Sequence, residues 1–246
     1  MRTARAISKS GYYHVILRGD GKRQIFEDDF DRRAFLGLVE SCLVARGVDV
    51  VAWCLMSNHV HLVVCDTEEN LSEAVGSLAM RYARRFNART GHVGHVFQER
   101  FKSSPIESDA YLLEAVRYVH NNPEKSGICR AEEYPWSSYS EYVAGPKICD
   151  TEVILDMLGG VEGFKEFCSA APSTIYRFTG HVRIPDDEMG EVARSVLGDV
   201  SVYDVRALPA GERNEKLRAL RECGLSVRQI ERLTGIGAKT ITRATT

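Results

Sequence analysis

Two histidines separated by a single residue, His59 and His61, are the side chains in this sequence best suited to share a metal ion. They lie in an apolar segment that predicts a strand, on which residues i and i+2 point to the same face. Two neutral imidazoles about 6–7 Å apart at Cα can hold one divalent ion. Two strand histidines on a polar face also occur without a metal, so the pair needs support from elsewhere in the chain.

A second pair of polar side chains stands near the end of a predicted helix, where Tyr118 precedes Asn122 by four residues. Residues at this spacing lie on one face of a helix. Pro123 then ends the helix. In isolation, a tyrosine at this position is typical of helix packing, and the Asn–Pro step is typical of a helix end.

The formal net charge is only −2, but the basic residues are unevenly distributed. Residues 81–102 carry six basic side chains against Glu99 alone, and residues 211–246 carry eight basic and four acidic side chains. Two basic segments in a nearly neutral chain indicate two surfaces for a polyanion. Each segment is equally compatible with a solvated helix face.

The elements that must position these side chains follow from hydrophobic periodicity. Alternating or apolar runs predict strands, and three- and four-residue apolar spacing predicts helices. The predicted strands are 12–18, 48–56, 59–65 and an extended segment 96–106; the predicted helices are 30–46, 71–89 and 109–121. Their order is close to the split βαβ pattern of ferredoxin-like domains. We therefore predict an α+β fold, a ferredoxin-like or RRM-like antiparallel sheet with helices on one face and the other face open to nucleic acid.

Past an Ala-Gly-Pro stretch at 144–146 the pattern changes, which predicts three regions: 1–145, an acidic and mostly helical connector 146–210, and 211–246. The last region reads as helices separated by glycines, a helix-turn-helix pattern. Lys239, Thr240 and Arg243 would face outward on its recognition helix, where they could contact duplex DNA. Any small three-helix bundle would show a similar pattern.

Several protein classes are disfavoured. The longest strongly apolar run, 48–56, is far shorter than the ~20 residues of a membrane span, so no membrane partner is expected. Residues 1–10 are basic but lack the apolar core of a secretory signal. Seven scattered cysteines without a CxxC pair favour neither a disulfide framework nor a cysteine-based zinc site. We expect a cytoplasmic protein.

Four segments in order carry a family resemblance: LMSNHVHL at 55–62, GHVFQERFK at 94–102, YVHNNP at 118–123 and YPWSSY at 134–139. With the YHV opening at 13–15, they resemble the single-tyrosine HUH transposases, most closely the branch related to REP-associated tyrosine transposases. The resemblance covers about residues 10–143. The C-terminal region resembles more loosely the helix-turn-helix at the end of bacterial replication-initiator proteins.

The resemblance implies a metal-dependent DNA strand transferase. Tyr118 matches the nucleophile that forms a 5′-phosphotyrosine and leaves a free 3′-OH, while His59 and His61 match the paired ligands of Mg²⁺ or Mn²⁺. Asn122 stands where the family places a polar third ligand, although an amide oxygen is a weaker ligand than a carboxylate.

The expected partner is single-stranded or hairpin DNA, because a tyrosine and a metal on one small sheet face cannot grip both strands of a duplex. Phosphates would lie on basic side chains and bases on aromatic rings. The candidate DNA contacts here are Arg81, Arg84, Arg85, Gln98, Arg100 and Lys102. A homodimer is an alternative to a monomer, since members of the family act in both states.

Two other functions remain open. One is a DNA-binding regulator descended from a transposase, which acts through residues 211–246 with little or no catalysis. The other is a hydrolytic two-histidine metalloenzyme, which is disfavoured because no carboxylate base is evident near His59.

Overall fold

The computed structural model describes residues 6–170, 189–198, 200–223 and 225–245. The chain divides into two compact units, Met1–Ala171 and Pro172–Thr246. The candidate metal and tyrosine residues all lie in the first unit, and the predicted helix-turn-helix lies in the second.

The first unit is built on a four-stranded antiparallel sheet with strand order β2-β3-β1-β4. The strands are β1 (Tyr12–Arg18), β2 (Asp49–Leu55), β3 (His59–Cys65) and β4 (Lys102–Ile106). In the β1–β3 register, Ile16 lies opposite His61 and Arg18 lies opposite His59. The central pair of strands therefore carries both histidines of the predicted metal site.

Two long helices cover one face of this sheet: α1 (Asp29–Cys42) and α2 (Leu71–Thr90). Asp28 caps α1 by accepting a hydrogen bond from the backbone N–H of Asp31. The odd-numbered residues of β1, such as Val15 and Leu17, are buried against these helices in the main hydrophobic core. The predicted α+β sheet fold is thus confirmed.

One detail of the predicted fold differs, because a third helix packs against the second face of the sheet. This helix is α3 (Asp109–His120), and the four-residue α4 (Asn122–Lys125) follows it. Even-numbered β1 residues point to this side, and the ring of His14 lies 5.8 Å from that of Tyr118 on α3. Burial of the apolar stripe of α3, Leu112, Val116 and Val119, requires this second face, so helices do not cover one side alone.

The segment after α4 covers the outer edge of β2. Its helices are α5 (Tyr139–Ala144), α6 (Glu152–Leu158) and α7 (Val161–Ser169). The backbone N–H of Leu55 donates to the Trp136 carbonyl at 2.8 Å, and the backbone N–H of Asp150 donates to the Val50 carbonyl at 2.8 Å. Short 3-10 turns occupy Asp20–Lys22, Val44–Arg46, Ala131–Glu133 and, in the second unit, Val205–Ala207.

The structural boundary after Ala171 differs from the predicted boundary after residue 145. The reason is the buried carboxylate of Glu141, which accepts hydrogen bonds from Trp53 on β2 and from three successive backbone N–H groups, those of residues 147–149. These bonds make the Ala-Gly-Pro stretch a turn inside the first unit. Residues 146–170 therefore belong with the sheet.

The described part of the second unit is helical: α8 (Met189–Leu197), α9 (Ala210–Glu222), α10 (Val227–Thr234) and α11 (Ala238–Thr245). Ser226 and Gln229 form a capping box at the start of α10. Gly235 ends it at φ 67°, and three residues connect it to α11. Leu217, Ile230 and Ile241 are buried in the core of this unit. Along the parts of the chain described above, none of the helices combines the length and apolarity needed to cross a membrane.

Candidate active site

The two histidines of β3 stand side by side on the second face of the sheet. Their ring centroids are 4.9 Å apart, His61 is buried and His59 is half-buried. Strand alternation produces this arrangement, because Val60 between them points into the core under α1 and α2.

Helix α3 brings the predicted tyrosine onto the same face. The Tyr118 ring lies 5.6 Å from the ring of His61. The side chain of Asn122, buried at the start of α4, hydrogen-bonds both Tyr118 and His59. The structure thus brings together all four residues proposed for catalysis and metal binding.

The ring of His59 is held in one orientation by the residue before it. The Nδ2 amide of Asn58 donates to the Lys22 carbonyl at 3.2 Å, which turns its Oδ1 towards His59. His59 Nδ1 lies 2.6 Å from that oxygen and donates to it. A neutral ring with its proton on Nδ1 presents Nε2 as the nitrogen for a ligand or an acceptor role.

His61 is held in a similar way by a third histidine. His14 Nε2 lies 2.9 Å from His61 Nδ1, and the two ring centroids are 5.0 Å apart. Both imidazoles are buried. Partners that orient a metal-binding imidazole through its second nitrogen are typical of metal sites.

Burial sets the charge state of this cluster. Loss of hydration, followed by the positive charge of Arg18, lowers the pKa of His59 to about 4. Burial, followed by the neighbouring His14, lowers the pKa of His61 well below its usual value, and burial lowers the pKa of His14 to about 3. The three rings are therefore neutral at physiological pH, which is the form that binds metals.

Burial also raises the pKa of the Tyr118 phenol above its ordinary value. The hydrogen bond from Asn122 and the charge of Arg18 act in the opposite direction but are weaker. The phenol is protonated at neutral pH, so its use as a nucleophile requires loss of the proton during the reaction.

Two cationic side chains lie near the cluster. Arg18 is exposed on β1 directly opposite His59, and the Nζ of Lys125 lies 4.1 Å from the centroid of the Tyr118 ring. Burial, the largest cause, lowers the pKa of Lys125. In the sheet register, Ile16 on β1 lies opposite both His61 on β3 and Lys102 on β4. The side chain of Lys102 therefore points to the same face as that of His61.

Sequence reasoning did not assign roles to His14, Arg18 or Lys125. His14 and Arg18 are four residues apart on β1, and strand alternation alone places them on one face. These side chains lie beside His61 because of the β1–β3 register, and a local sequence pattern does not give the register between two strands.

The predicted DNA contacts divide into two groups. Gln98 and Lys102 lie near the cluster, because the backbone N–H of Gln98 donates to the Arg18 carbonyl at 2.9 Å. Lys102 also forms a salt bridge with Glu99, with Nζ 3.4 Å from Oε1, and the neighbouring Arg100 is exposed.

The arginines of α2 are placed elsewhere. Arg81 donates to the sulfur of Cys42 at 3.2 Å, and the Arg85 guanidinium lies 4.8 Å from the ring centroid of Phe30. Arg84 is exposed on the same helix. The sheet therefore lies between these side chains and Tyr118, and the structure does not bring them to the candidate active site.

In the second unit, the three residues predicted to contact duplex DNA all lie on α11. Lys239 and Arg243 are exposed and Thr240 is half-buried.

The donor set limits the metals that this site can take. Within the described residues, no group of three or more His, Cys, Asp or Glu side chains is arranged to hold a metal ion. A metal here would depend on His59, His61 and the amide oxygen of Asn122. The two neutral imidazoles, each with its Nδ1 already engaged, fit such an ion, and nitrogen ligands suit Mn²⁺ better than Mg²⁺.

Comparisons with known proteins concern the family and the fold of this chain. Residues 7–122 match the model of a family described as IS200-like transposases. No curated protein gives a significant match. Among solved structures, a REP-associated tyrosine transposase bound to a REP hairpin is 17% identical with a TM-score of 0.53, over 75% of this chain and 99% of that chain.

At that level of identity the match supports a shared fold. A putative transposase from Deinococcus radiodurans R1 is 20% identical over 49% of this chain and 97% of that one, but its TM-score of 0.36 adds no support.

Proposed function

Because residues 7–122 of this chain belong to the IS200-like transposase family, we propose that the protein cleaves and rejoins DNA through a covalent bond to Tyr118. The observation that carries the proposal is the cluster on the second sheet face. There Asn122 links Tyr118 to His59, and His61 lies 5.6 Å from the tyrosine ring. A phenol used only for helix packing would not require two oriented, neutral imidazoles beside it.

In the proposed reaction, the Tyr118 oxygen attacks the phosphorus of a DNA phosphodiester. The phenol loses its proton, a Tyr–O–P bond forms, the bond from phosphorus to the 3′ oxygen breaks, and the departing 3′ oxygen takes up a proton. The products are a 5′-phosphotyrosine and a strand with a free 3′-OH. Because the phosphate ester is retained, attack by a 3′-OH in the reverse sense rejoins DNA without ATP.

His59, His61 and Asn122 would hold the metal ion, Mg²⁺ or Mn²⁺. When bound, a divalent ion offsets the negative charge of the scissile phosphate and orients the leaving oxygen. Arg18 and Lys125 would add fixed positive charge on two sides of the same phosphate. In the proposed role, Lys125 also keeps the Tyr118 ring in place through its contact with the ring face.

The proposed substrate is single-stranded or hairpin DNA. Support comes from the position of Tyr118, which is half-buried on α3 against the histidine rings of the sheet, so a flexible strand can reach it more readily than a duplex. The structurally similar transposase was solved with a REP hairpin. We assign the phosphate contacts to Arg18, Lys102 and Lys125, and we remove the α2 arginines from this role.

We propose a second DNA contact through the second unit. Helices α10 and α11 are joined by three residues, a connection typical of a helix-turn-helix. In this proposal, the exposed basic side chains of Lys239 and Arg243 on α11 would contact the duplex. A regulator that binds duplex DNA through this unit without catalysis is the alternative function, and the experiment below distinguishes the two.

The test is the trapping of a covalent protein–DNA adduct. The full chain is incubated with a hairpin oligonucleotide bearing a single-stranded extension and Mn²⁺, then resolved under denaturing conditions. We expect an adduct that maps to Tyr118 by mass, and that is lost in Tyr118→Phe, in His59→Ala and in excess chelator. Removal of the hydroxyl breaks its bond to Asn122 and should lower stability by only about 1 kcal/mol.

Tyr111→Phe is the matched control, because Tyr111 lies two turns earlier on the same helix. It should form the adduct at the wild-type rate. An adduct that persists in Tyr118→Phe would contradict the assignment. If duplex binding is intact and none of a panel of hairpins yields an adduct, the regulator is favoured.

A further inference from the structure

The buried imidazole of His14 has no part in the reaction described above. It lies on β1 and faces the same side of the sheet as the two histidines of β3. In the β1–β3 register it stands opposite Val63, diagonal to His61, and its ring reaches across to His61. A fully buried polar ring that contacts both a candidate ligand and the candidate nucleophile calls for a physical reason.

The hydrogen bond between the two rings determines what His61 can do. A neutral imidazole carries one proton, on either Nδ1 or Nε2. His61 can offer the Nε2 lone pair to a metal only if its proton is on Nδ1. Its Nδ1 lies 2.9 Å from His14 Nε2, so the proton on His61 Nδ1 must be donated to His14. The reverse direction would place the proton of His61 on Nε2 and block metal binding there.

His14 itself is poorly placed to be a third ligand through the same nitrogen. Its Nε2 is the atom engaged with His61, and ligation would break that bond. The role that fits the contact is that of an acceptor. Carboxylates or carbonyls usually orient metal-binding histidines; here a neutral imidazole takes that place and adds no charge to a buried cluster.

We propose that His14 is a positioning residue that accepts a hydrogen bond from His61 Nδ1 and so holds the Nε2 of His61 available for a divalent cation. The inference rests on the proposed metal-dependent function of the site, and it deepens that function by naming a residue behind the ligands. It also accounts for a histidine on β1 facing away from the main core.

The first test reads the tautomer directly and needs no metal. Long-range ¹H–¹⁵N correlation spectra of the full chain, labelled at histidine and held in chelator, distinguish Nδ1–H from Nε2–H rings. We expect His61 to carry its proton on Nδ1 and His14 to have an unprotonated Nε2. A wild-type His61 with its proton on Nε2 would overturn the proposal, whatever the variants do.

The second test measures Mn²⁺ affinity by titration calorimetry. His14→Leu removes the acceptor, and loss of a partner of this kind typically weakens metal binding about 10- to 100-fold. His14→Gln keeps a carbonyl acceptor at similar reach, and we expect Mn²⁺ affinity within about threefold of wild type. Equal affinity of His14→Leu and wild type would contradict the proposal.

His120→Leu is the matched control, because His120 is also a fully buried imidazole, bonded instead to Ser138 at 2.7 Å. It should lower stability without lowering Mn²⁺ affinity, and a comparable affinity loss in this variant would show that destabilisation alone explains the His14→Leu result. If the wild type binds no Mn²⁺, the proposed metal function fails, and the tautomer spectra still decide whether His14 holds His61. Should His14→Leu not fold, His14→Gln and the wild-type spectra remain decisive.

Discussion

Buried histidines should make this protein sensitive to mild acid, and His120 offers the clearest case. Its ring is fully buried among the aromatic side chains of α5 and α7, and Nε2 bonds the hydroxyl of Ser138. Burial lowers the pKa of His120 to about 3, from 6.5 for an ordinary histidine. The native state therefore keeps this ring neutral at pH values where the unfolded chain takes up a proton.

The sign and size of the effect follow from this difference. Below pH 6.5 the unfolded state binds more protons than the native state, so stability falls as the pH drops from 6.5 towards 3. At pH 5 the unfolded ring is almost fully protonated and the native ring is not. The loss relative to pH 8 is about 2 kcal/mol for this one residue, and it changes little if the native pKa is one unit higher.

The assay compares His120→Gln with wild type by urea denaturation at pH 8 and pH 5, with chelator present. His120→Gln lowers stability at both pH values, because it removes a packed ring. Its loss between pH 8 and pH 5 should be smaller than that of wild type by about 2 kcal/mol. His95→Gln, at an exposed imidazole, should show the wild-type loss. Equal acid losses in all three proteins would refute the reasoning.

Two further predictions concern DNA. Lys125→Met removes the cation over the Tyr118 ring and should slow adduct formation at least about tenfold, equivalent to 1.4 kcal/mol in the transition state, whereas Lys125→Arg should retain most of the rate. Single-turnover kinetics measure the rate of adduct formation in both variants. An unchanged rate in Lys125→Met would show that Lys125 has no role in the reaction. Replacement of both Lys239 and Arg243 by Ala should weaken duplex binding and reduce the slope of log K against log salt by about 2, with adduct formation on a short hairpin unchanged. An unaltered salt slope would show that α11 does not contact DNA phosphates.

Local patterns were sufficient for the first three strands and the three long helices α1, α2 and α3 of the first unit. Strands β1 and β3 begin and end at the predicted residues, because alternating or apolar runs are local signals. The helix ends differ from the predicted ones by at most four residues: α1 begins one residue earlier, after its cap Asp28, and ends four residues earlier, at Cys42. The pairing of Tyr118 with Asn122 on one helical side also follows from local spacing.

Local patterns did not predict the sheet face on which each helix packs or the register between the strands. The α2 segment reads correctly as a basic amphipathic helix, but its stripe of Leu78, Tyr82 and Phe86 packs on the first sheet face, which carries the arginines away from Tyr118. Periodicity identifies which residues share a side of a helix and leaves open which side of the sheet receives it. The contributions of His14 and Arg18 depend in the same way on how β1 aligns with β3.

The division of the sheet into two faces explains why a polar cluster can be rigid here. The first face carries the main apolar core of the unit. On the second face, His14, His61 and Asn122 are buried and Tyr118 is half-buried, and each is bonded or packed to another member of the group. Buried polar groups that satisfy one another hold a defined geometry, whereas the loss of one member leaves a partner unpaired at a cost of about 1–3 kcal/mol. Substitutions in this cluster should therefore change the chemistry and the local order together, while changes on the first face should affect stability alone.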